Sequence, residues 1–267
     1  MNDDLVLLDK QDRIAYVTLN RPEKLNALTP EAYARLREIW QDVGDDPSIR
    51  VAILRGAGRA FSVGNNLGGR ENRAAESIVE DRQRVRNMIT TCLMAWDLPK
   101  PVISQVHGHC FAGGSLLATL TDIIVVAEDT RVGWPQIPVG GGLIGPIWSW
   151  FVPPHRAKEF SYRVGFTMSG KEAVGFGWGN YAVPAAQLEA EVLKIAEQIA
   201  KVPADILRMK KAAHNETLDA KGFRSMVYHY ADIDALVHST EAVHQVNSKL
   251  GELGIRGAMD WYQKEGA

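Results

Sequence analysis

The chain has 267 residues, of which 46% are hydrophobic and 23% are charged, and its formal net charge is -2 at pH 7. A chain of this size and composition buries enough apolar surface for one globular domain. The near-neutral balance, with a pI near 6.4, argues against nucleic acid and against an acidic membrane surface as partners. The two cysteines, Cys92 and Cys110, form neither a disulfide framework nor a CxxC motif, so we expect buried thiols in a reducing compartment.

The N-terminal sequence MNDDLVLLDKQDR places acids before a short apolar stretch, which is the reverse of a secretory signal. No later apolar run approaches the roughly 20 residues that are needed to cross a bilayer. We therefore expect a soluble, cytoplasmic protein.

The first half of the sequence alternates predicted strands with predicted helices. Apolar alternation predicts a strand at 14–19, after a shorter candidate at 5–8. Thr29, Pro30 and Glu31 supply the cap, the proline and the early acid that begin a helix, which we expect to end near Val43. The further predicted elements are a strand at 50–54, a glycine-rich loop, a helix at 74–96, a strand at 102–106, a turn and helix from Gly108, and a strand at 123–127. This alternation favours an α/β fold of crossover units.

The pattern becomes helical after Pro154, and no convincing strand is predicted from there to the C-terminus. One helical face carries four apolar residues: Leu188, Val192, Ile195 and Ile199. Pro203 begins another helix. No Ser/Gly-rich linker makes this part independent, so we predict a core of residues 1–195 and a C-terminal helical region of residues 196–267.

Two glycine-containing segments have the composition of loops that hold a negatively charged oxygen. They are RAFSVGNNL at 59–67 and GHCFAGGSL at 108–116. Glycine lets backbone N–H groups approach a ligand closely, and a helix N-terminus carries a partial positive charge. Two N–H donors directed at one oxygen form an oxyanion hole, although the same glycines would equally serve tight packing between helix and sheet. The sequence contains no GxxxxGK[ST] phosphate loop.

These loops lie within longer motifs that follow one another along nearly the whole chain. VAILRGAGRAFSVGNNL at 51–67 contains G-x-G…F-x-x-G, and PKPVISQVHGHCFAGGSLLATLTD at 99–122 is similar to K-P-V-I-A-x-V-x-G-x-A-x-G-G-G-x-E-L-A-x-x-x-D. Further motifs are LNRPEKLNAL near the start, GWPQIPVGGG at 133–142, and RAKEF to NYAVP at 156–184. In content and order, these motifs resemble the crotonase, or enoyl-CoA hydratase/isomerase, family.

The resemblance implies an α/β spiral of ββα units, with C-terminal helices that pack on a neighbouring subunit in a homotrimer or a dimer of trimers. It implies an acyl-CoA thioester as substrate, so that coenzyme A is part of the substrate and neither a separate cofactor nor a metal is expected. The backbone amides of Asn65 and Gly113 match the family's two oxyanion donors. The positions that match the coenzyme A contacts are Lys24, Leu25, Ala27, Val63, Asn66 and Leu67. Lys24 would pair with a phosphate, although a solvated surface lysine explains it as well.

The chain departs from the family at both catalytic carboxylates. A hydratase of this family uses two glutamates, one as base and one as acid. The matching positions here are Leu116 and Gln136, and neither side chain transfers protons. Ordinary hydration by two glutamates is therefore not expected. Candidate replacements are His109, because histidine titrates near neutral pH, and the amides of Gln136 and Asn66, which would orient water or an acyl substituent. On a strand-to-helix turn, an orientation of His109 away from the substrate is equally expected.

The remaining aromatic and histidine residues carry weaker signals. Four aromatic residues would suit an acyl pocket but are more simply explained as core: Trp134, Trp148, Trp150 and Phe151. Five histidines of the helical half lack metal-ligand spacing, and we interpret them as surface or interface residues: His155, His214, His229, His238 and His244.

These observations predict an enzyme that stabilises an enolate or a tetrahedral intermediate of a CoA thioester or a related carbonyl compound. The reaction stays open among hydration or isomerisation by substituted residues, decarboxylation, and carbon–carbon or thioester hydrolysis. Decarboxylation is chemically attractive because the loss of CO₂ leaves an enolate without a strong protein base. The alternative is a non-catalytic acyl-CoA-binding protein, which the loss of both glutamates favours.

Overall fold

The computed structural model describes residues 5–68, 77–134, 137–140 and 143–265. The strands in this part are β1 (Val6–Gln11), β2 (Ile14–Leu19), β3 (Val51–Gly56), β4 (Val102–Val106), β5 (His109–Phe111), β6 (Ile123–Ala127), β7 (Arg131–Gly133), β8 (Thr167–Ser169) and β9 (Tyr181–Val183). The α-helices are α1 (Pro30–Asp45), α2 (Ile78–Asp97), α3 (Gly113–Thr119), α4 (Ile144–Trp148), α5 (Pro154–Tyr162), α6 (Gly170–Gly175), α7 (Leu188–Ala200), α8 (Ala204–Ala220), α9 (Phe223–His238) and α10 (Glu241–Glu265).

The strands form two sheets, between which the chain crosses repeatedly. The larger sheet has six strands in the order β1-β2-β3-β4-β6-β9, and the smaller one has three in the order β5-β7-β8. In the larger sheet only β1 and β2 pair antiparallel, while the other neighbours are parallel. After β4 the chain enters the smaller sheet as β5 and then forms α3, and β6, β7 and α4 repeat this path. The predicted α/β fold built from ββα units is therefore confirmed.

The central strands are apolar on both faces because helices cover both sides of the larger sheet. Ala52 and Leu54 of β3 join the main core, whereas Val51 and Ile53 pack against the cluster that includes α7. A strand buried on both faces is continuously apolar rather than alternating. This burial explains why short apolar runs without polar alternation form most of β3 and all of β6.

Helices α1 and α2 begin at side-chain caps. The Thr29 hydroxyl accepts a hydrogen bond from the Ala32 amide at 3.2 Å, so α1 begins where the sequence predicts. Ser77 and Glu80 form a capping box at the start of α2. The helix predicted at 74–96 therefore begins at Ile78, and the predicted positions 74–76 lie outside the described residues.

The expectation that no strand follows Pro154 is wrong. Strand β8 pairs with β7, and β9 adds to the edge of the larger sheet beside β6. Each has three residues, which is too short for a two-residue period to stand out in the sequence. Helix α7 covers the other face of the larger sheet and runs through residue 195, where we predicted the boundary between core and helical region.

The C-terminal helices pack against the core of their own chain. The apolar side of α9, including Phe223, Val227 and Ala231, belongs to the main core, where the helix lies along α2. Helix α10 follows and bends at Gly254, whose φ is 68°. This arrangement forms a wall beside α2, while the predicted trimer or dimer of trimers stays a prediction.

Both cysteines are buried and free, as expected. Burial raises the pKa of the Cys92 thiol to about 12 and also raises that of Cys110. Within the described ranges, no helix combines the length and apolar character that crossing a membrane requires. The reducing compartment and the cytoplasmic location stay predictions.

A buried ion pair holds α8 against the rest of the fold. The Lys211 ammonium donates to Asp122 Oδ2 at 2.7 Å and to the carbonyl oxygens of Ala95 and Lys100 at 2.8 and 3.0 Å. Asp122 also accepts from the Val102 amide at 2.7 Å. Burial raises the pKa of Asp122 and lowers that of Lys211, so each group depends on its partner to remain charged.

Replacing Lys211 with methionine is expected to lower the free energy of unfolding by about 3–5 kcal/mol, because the buried carboxylate of Asp122 loses its counter-charge. Urea denaturation at neutral pH measures the change. Lys194→Met is the matched control: Lys194 pairs with Glu191 while its side chain remains 61% exposed. That control should change stability by less than about 0.5 kcal/mol. Similar losses in the two variants would contradict this interpretation.

Candidate active site

A cavity of about 130 Å³ lies where α2 and α9 meet the loops that follow β3, β5 and β7. Its walls are largely apolar, and the main apolar lining residues are Val63, Leu67, Val85, Met88, Ile137 and Ile144. Its polar lining residues include Asn65, Arg84, Trp134, Ser161, Asp234 and His238. An apolar cavity with a few polar groups is typical of a small-molecule site.

Backbone pairing with Leu28 orients the amide of Asn65. The Leu28 amide donates to Gly64 O, and the Asn66 amide donates to Leu28 O, both at 2.8 Å. These bonds make Leu28 and Asn65 a parallel bridge pair. Because the groups on either side of Asn65 bond to Leu28, the Asn65 amide itself is directed to the opposite side.

Asn26 anchors the loop on which this pairing depends. Its side chain accepts from the Arg21 amide at 2.8 Å and donates to Ala57 O and Ala60 O at 2.9 and 2.7 Å. The Ser62 hydroxyl donates to Asn26 O at 2.8 Å. A buried amide with this many partners holds two loops in one relative position, because leaving any of these groups unpaired would be costly.

A second set of backbone hydrogen bonds positions Gly113. The Ser62 amide donates to His109 O at 3.0 Å, and the Phe111 amide donates to Ser62 O at 2.9 Å. The Ala112 amide then donates to Gly133 O at 3.1 Å, just before α3 begins at Gly113. Residues 61–64 therefore pair with the loop of Leu25 and Leu28 on one side and with the β5 region on the other.

The backbone amides of Asn65 and Gly113 come together at the cavity. A Cβ atom built on Gly113 would lie 3.3 Å from the Asn65 nitrogen, and one built on Gly64 would lie 2.7 Å from the Gly113 nitrogen. Within the described part of the chain, neither amide donates a hydrogen bond. Two neighbouring N–H groups without protein acceptors are a pair of donors available to a ligand.

The Asn65 side chain lies beside this pair of donors and has partners of its own. Its Oδ1 accepts from the Tyr33 hydroxyl at 2.7 Å, and its Nδ2 contacts Met88 Sδ at 3.3 Å. Burial raises the pKa of Tyr33 well above its usual value, so the phenol stays protonated and donates. The residue thus offers the ligand its backbone while its side chain fastens the loop to α1 and α2.

A charged cluster lies at the junction of α2 and α9. His238 Nδ1 is 2.7 Å from Asp81 Oδ2, and His238 Nε2 is 3.7 Å from Asp234 Oδ2. Arg84 pairs with the other oxygen of Asp81. Burial raises the pKa of Asp81, but the hydrogen bond with His238 and the charges of His238 and Arg84 outweigh it, so the net pKa lies below the usual value.

The interpretation of His238 as a surface or interface residue is wrong. Its side chain is 14% exposed, and it lines the cavity. Sequence reasoning missed it because Asp81 lies 157 residues away along the chain. The local signal that could have found it is the Asp234-x-x-x-His238 spacing, which puts both side chains on one face of a helix.

The structure does not bring two other predicted positions to the cavity. Leu116 is fully buried in the main core. His109 packs edge-on against Phe111 with a ring-centroid separation of 5.4 Å and is absent from the lining. Burial, together with the charges of Arg131 and Arg59, lowers the pKa of His109. Gln136 lies outside the described residues.

The residues that are predicted to contact coenzyme A differ in burial and in their position relative to the cavity. Val63 and Leu67 line the cavity. Leu25 is adjacent, since its carbonyl accepts from the Val63 amide at 3.1 Å. Among the rest, Lys24 is exposed, Ala27 is buried, and Asn66 is half-buried. Their contacts with coenzyme A stay predictions.

The prediction that these aromatic residues belong to the core is confirmed for Trp148, whereas Trp134 packs against the core and also lines the cavity. Trp148 is fully buried and stacks on Phe160 at 3.9 Å between ring centroids. Trp134 lines the cavity, and its indole N–H is buried without a partner among the described residues. Trp150 and Phe151 pack edge-on against Phe223, as side chains of the core do.

The ββα spiral, with two loop amides meeting at a cavity, defines a crotonase-like protein. The family model described as enoyl-CoA hydratase/isomerase matches residues 9–249, and the chain belongs to that family. A solved enoyl-CoA hydratase/isomerase from Xanthobacter autotrophicus Py2 superposes with a TM-score of 0.91 at 28% identity, covering 96% of each chain.

Two relatives are similar over most of their length. Hydroxycinnamoyl-CoA hydratase-lyase from Pseudomonas fluorescens is 29% identical over 234 residues, which cover 86% of this chain and 84% of that protein. (E)-Benzylidenesuccinyl-CoA hydratase from Thauera aromatica is 31% identical over 212 residues, which cover 78% of this chain and 81% of that protein.

The backbone of Ala112, next to the Gly113 amide, has a strained conformation. Ala112 has φ 46° and ψ -118°, a conformation that glycine adopts far more readily than alanine. Such strain costs about 1–3 kcal/mol, so Ala112→Gly should stabilise the fold by about 1 kcal/mol after glycine's greater unfolded-state entropy is deducted.

Thermal and urea denaturation measure this effect. Ala212→Gly makes the same replacement at an exposed position inside α8. It should destabilise by about 0.5–1 kcal/mol. Destabilisation of equal size in both variants would show that the backbone at Ala112 is not strained.

Proposed function

We propose that the chain is an enzyme that acts on an acyl-CoA thioester and stabilises the enolate of its acyl group. The single observation that carries this proposal is the pair of backbone amides, Asn65 and Gly113, which lie beside one cavity and have no acceptor among the described residues. The thioester carbonyl oxygen would accept a hydrogen bond from each of the two N–H groups. Negative charge that develops on this oxygen when the α-carbon loses a substituent strengthens both hydrogen bonds, so the amides favour the enolate over the ground state.

The strength of this effect depends on how rigidly the donors are held. Both amides belong to backbone whose neighbouring groups are paired, so little reorganisation is needed when charge develops. Removing one such donor typically costs a factor of 10² to 10³ in rate, or about 2.7–4 kcal/mol. This contribution does not require an acidic side chain on the protein.

The cavity supports a short or aromatic acyl group as substrate. Its volume of about 130 Å³ is close to the roughly 150 Å³ of an apolar cavity that accepts benzene. The names of two relatives, a hydroxycinnamoyl-CoA hydratase-lyase and a benzylidenesuccinyl-CoA hydratase, agree with an aromatic acyl group. A long alkyl chain would have to displace apolar side chains such as Met88 or Ile144.

The reaction differs from hydration by two glutamates. Leu116 occupies one of the two matching positions, and its side chain lies in the core rather than at the cavity. The enolate is common to isomerisation, decarboxylation and addition to a double bond, so we propose the shared intermediate and not one of these reactions. A non-catalytic acyl-CoA-binding protein is the outcome that the following experiment separates from an enzyme.

Enolate formation is measured by exchange of α-hydrogens in D₂O, followed by proton NMR on butyryl-CoA and phenylacetyl-CoA. Gly113→Ala would put a Cβ 3.1 Å from Asn65 Oδ1 and 3.3 Å from the Asn65 nitrogen, within the space for the carbonyl oxygen. We expect exchange in the wild type and a 10²- to 10³-fold loss in this variant.

Gly175→Ala is the matched control, because a Cβ at this exposed residue of α6 has no atom within 4 Å. Its exchange rate should stay within twofold of the wild type. Saturable binding of both esters without any exchange, together with no loss of CO₂ from malonyl-CoA on the same samples, would identify a non-catalytic binder and contradict the proposal.

A further inference from the structure

His238 is a histidine that lines the cavity and has an aspartate behind it. We propose that His238 is the general base and acid of this site and that Asp81 is its positioning residue. The inference rests on the proposed function, since it names the group that removes the α-proton of the bound thioester. It assigns proton transfer to a residue of α9, far along the chain from the two positions that match the family's glutamates.

Asp81 determines which nitrogen of His238 faces the substrate. The carboxylate accepts only, so at 2.7 Å the Nδ1 atom must carry the hydrogen. In the neutral imidazole the lone pair is then on Nε2, the nitrogen that a base uses when an aspartate orients it. The two helix ends favour this polarity, because Asp81 lies in the first turn of α2 and His238 is the last residue of α9.

Among the described residues, Gly140 lies beside Nε2 and has no side chain to fill the space there. A Cβ built on Gly140 would lie 3.0 Å from His238 Nε2 and 3.1 Å from Asp234 Oδ1. Gly140 itself lines the cavity. Any larger residue at this position would occupy the approach to the nitrogen, so the glycine leaves room for a ligand atom there.

The charges around His238 suit both of its protonation states. Asp81 and Arg84 from α2 form one ion pair behind the ring, and Asp234 from α9 lies 3.7 Å from Nε2. When Nε2 takes a proton, the imidazolium lies between two carboxylates, which stabilise its charge. When the proton leaves, Asp81 still holds the ring by Nδ1. The site therefore supports transfer in both directions.

The step balances without another reactant. The Nε2 lone pair takes the α-hydrogen as a proton, and the electrons of the broken C–H bond form the enolate, with negative charge on the thioester oxygen. The amides of Asn65 and Gly113 hold that oxygen. Return of a proton from Nε2 to the same or a conjugated carbon regenerates the neutral base, and exchange of the Nε2 proton with D₂O labels the product.

The simpler role of His238 is to tie α9 to α2, but a second contact already does so. Asp232 accepts from Arg86 at 2.7 Å on each of its oxygens and from Arg82 at 2.9 Å. Asp232 is not among the residues that line the cavity. These two contacts between the same helices allow a structural role to be separated from a chemical one.

The experiment compares three variants by the α-hydrogen exchange of butyryl-CoA and phenylacetyl-CoA. His238→Asn retains an N–H donor for Asp81 but removes the basic Nε2. Asp81→Asn keeps the shape and removes the charge, and Asp232→Asn weakens the contact of Asp232 with Arg82 and Arg86 without changing the cavity lining. Ester binding is measured by calorimetry and stability by thermal denaturation, with exchange rates taken from pH 5 to pH 8.

We expect His238→Asn to lose at least 100-fold in exchange rate, as removal of a general base does, with unchanged ester binding. The wild-type rate should change between pH 5 and pH 8, and this change should vanish in His238→Asn. Asp81→Asn should lose at least tenfold without weaker binding. Asp232→Asn should lower the melting temperature and retain wild-type exchange.

Exchange by His238→Asn within threefold of the wild type, while Gly113→Ala still loses activity, would overturn the assignment of the base and leave the proposed function intact. Equal losses in His238→Asn and Asp232→Asn, each in proportion to its fall in melting temperature, would likewise overturn it in favour of a structural tie. Absence of exchange in the wild type would overturn the inference, and absence of CO₂ loss from malonyl-CoA as well would overturn the proposed function with it.

Discussion

The pairing of residues 61–66 on both sides is the constraint on which the site depends. One side bonds to the loop around Leu28, and the other bonds to β5, so a single extended segment holds the amides of Asn65 and Gly113 in relation to each other. Backbone hydrogen bonds of this kind leave little freedom, because every group that loses its partner inside the protein costs free energy. The amide of Asn65 remains available to a ligand because its neighbours on either side are the groups that pair.

The same constraint explains why glycines cluster here. A side chain at Gly114 would meet Ser62 O at 2.5 Å, and one at Gly64 would meet Gly113 N at 2.7 Å. The glycines thus allow tight packing between loop and helix, and the same packing gives a ligand access to the backbone. Close approach of the two backbones brings the donors together.

Prediction from sequence succeeded where the signal is local. The strands at 14–19, 102–106 and 123–127 have the predicted bounds, and Thr29 caps α1, because burial and capping act on neighbouring residues. The four strands β5, β7, β8 and β9 have only three residues each, and their existence depends on partners distant in sequence. The candidate base was missed for the same reason: the position of His238 beside the cavity follows from the docking of α9 on α2, and no local pattern encodes that docking.

The use of α9 as one wall of the cavity has a consequence for how the protein is made. The oxyanion donors belong to the first 113 residues, whereas Asp81 and His238 are separated by 157 residues. Contacts of such long sequence separation form late, since the intervening chain must close a large loop first. A nascent chain leaving the ribosome would thus form the loops of Asn65 and Gly113 before this wall of the cavity exists. The cavity would be complete only when the last helices dock on α2.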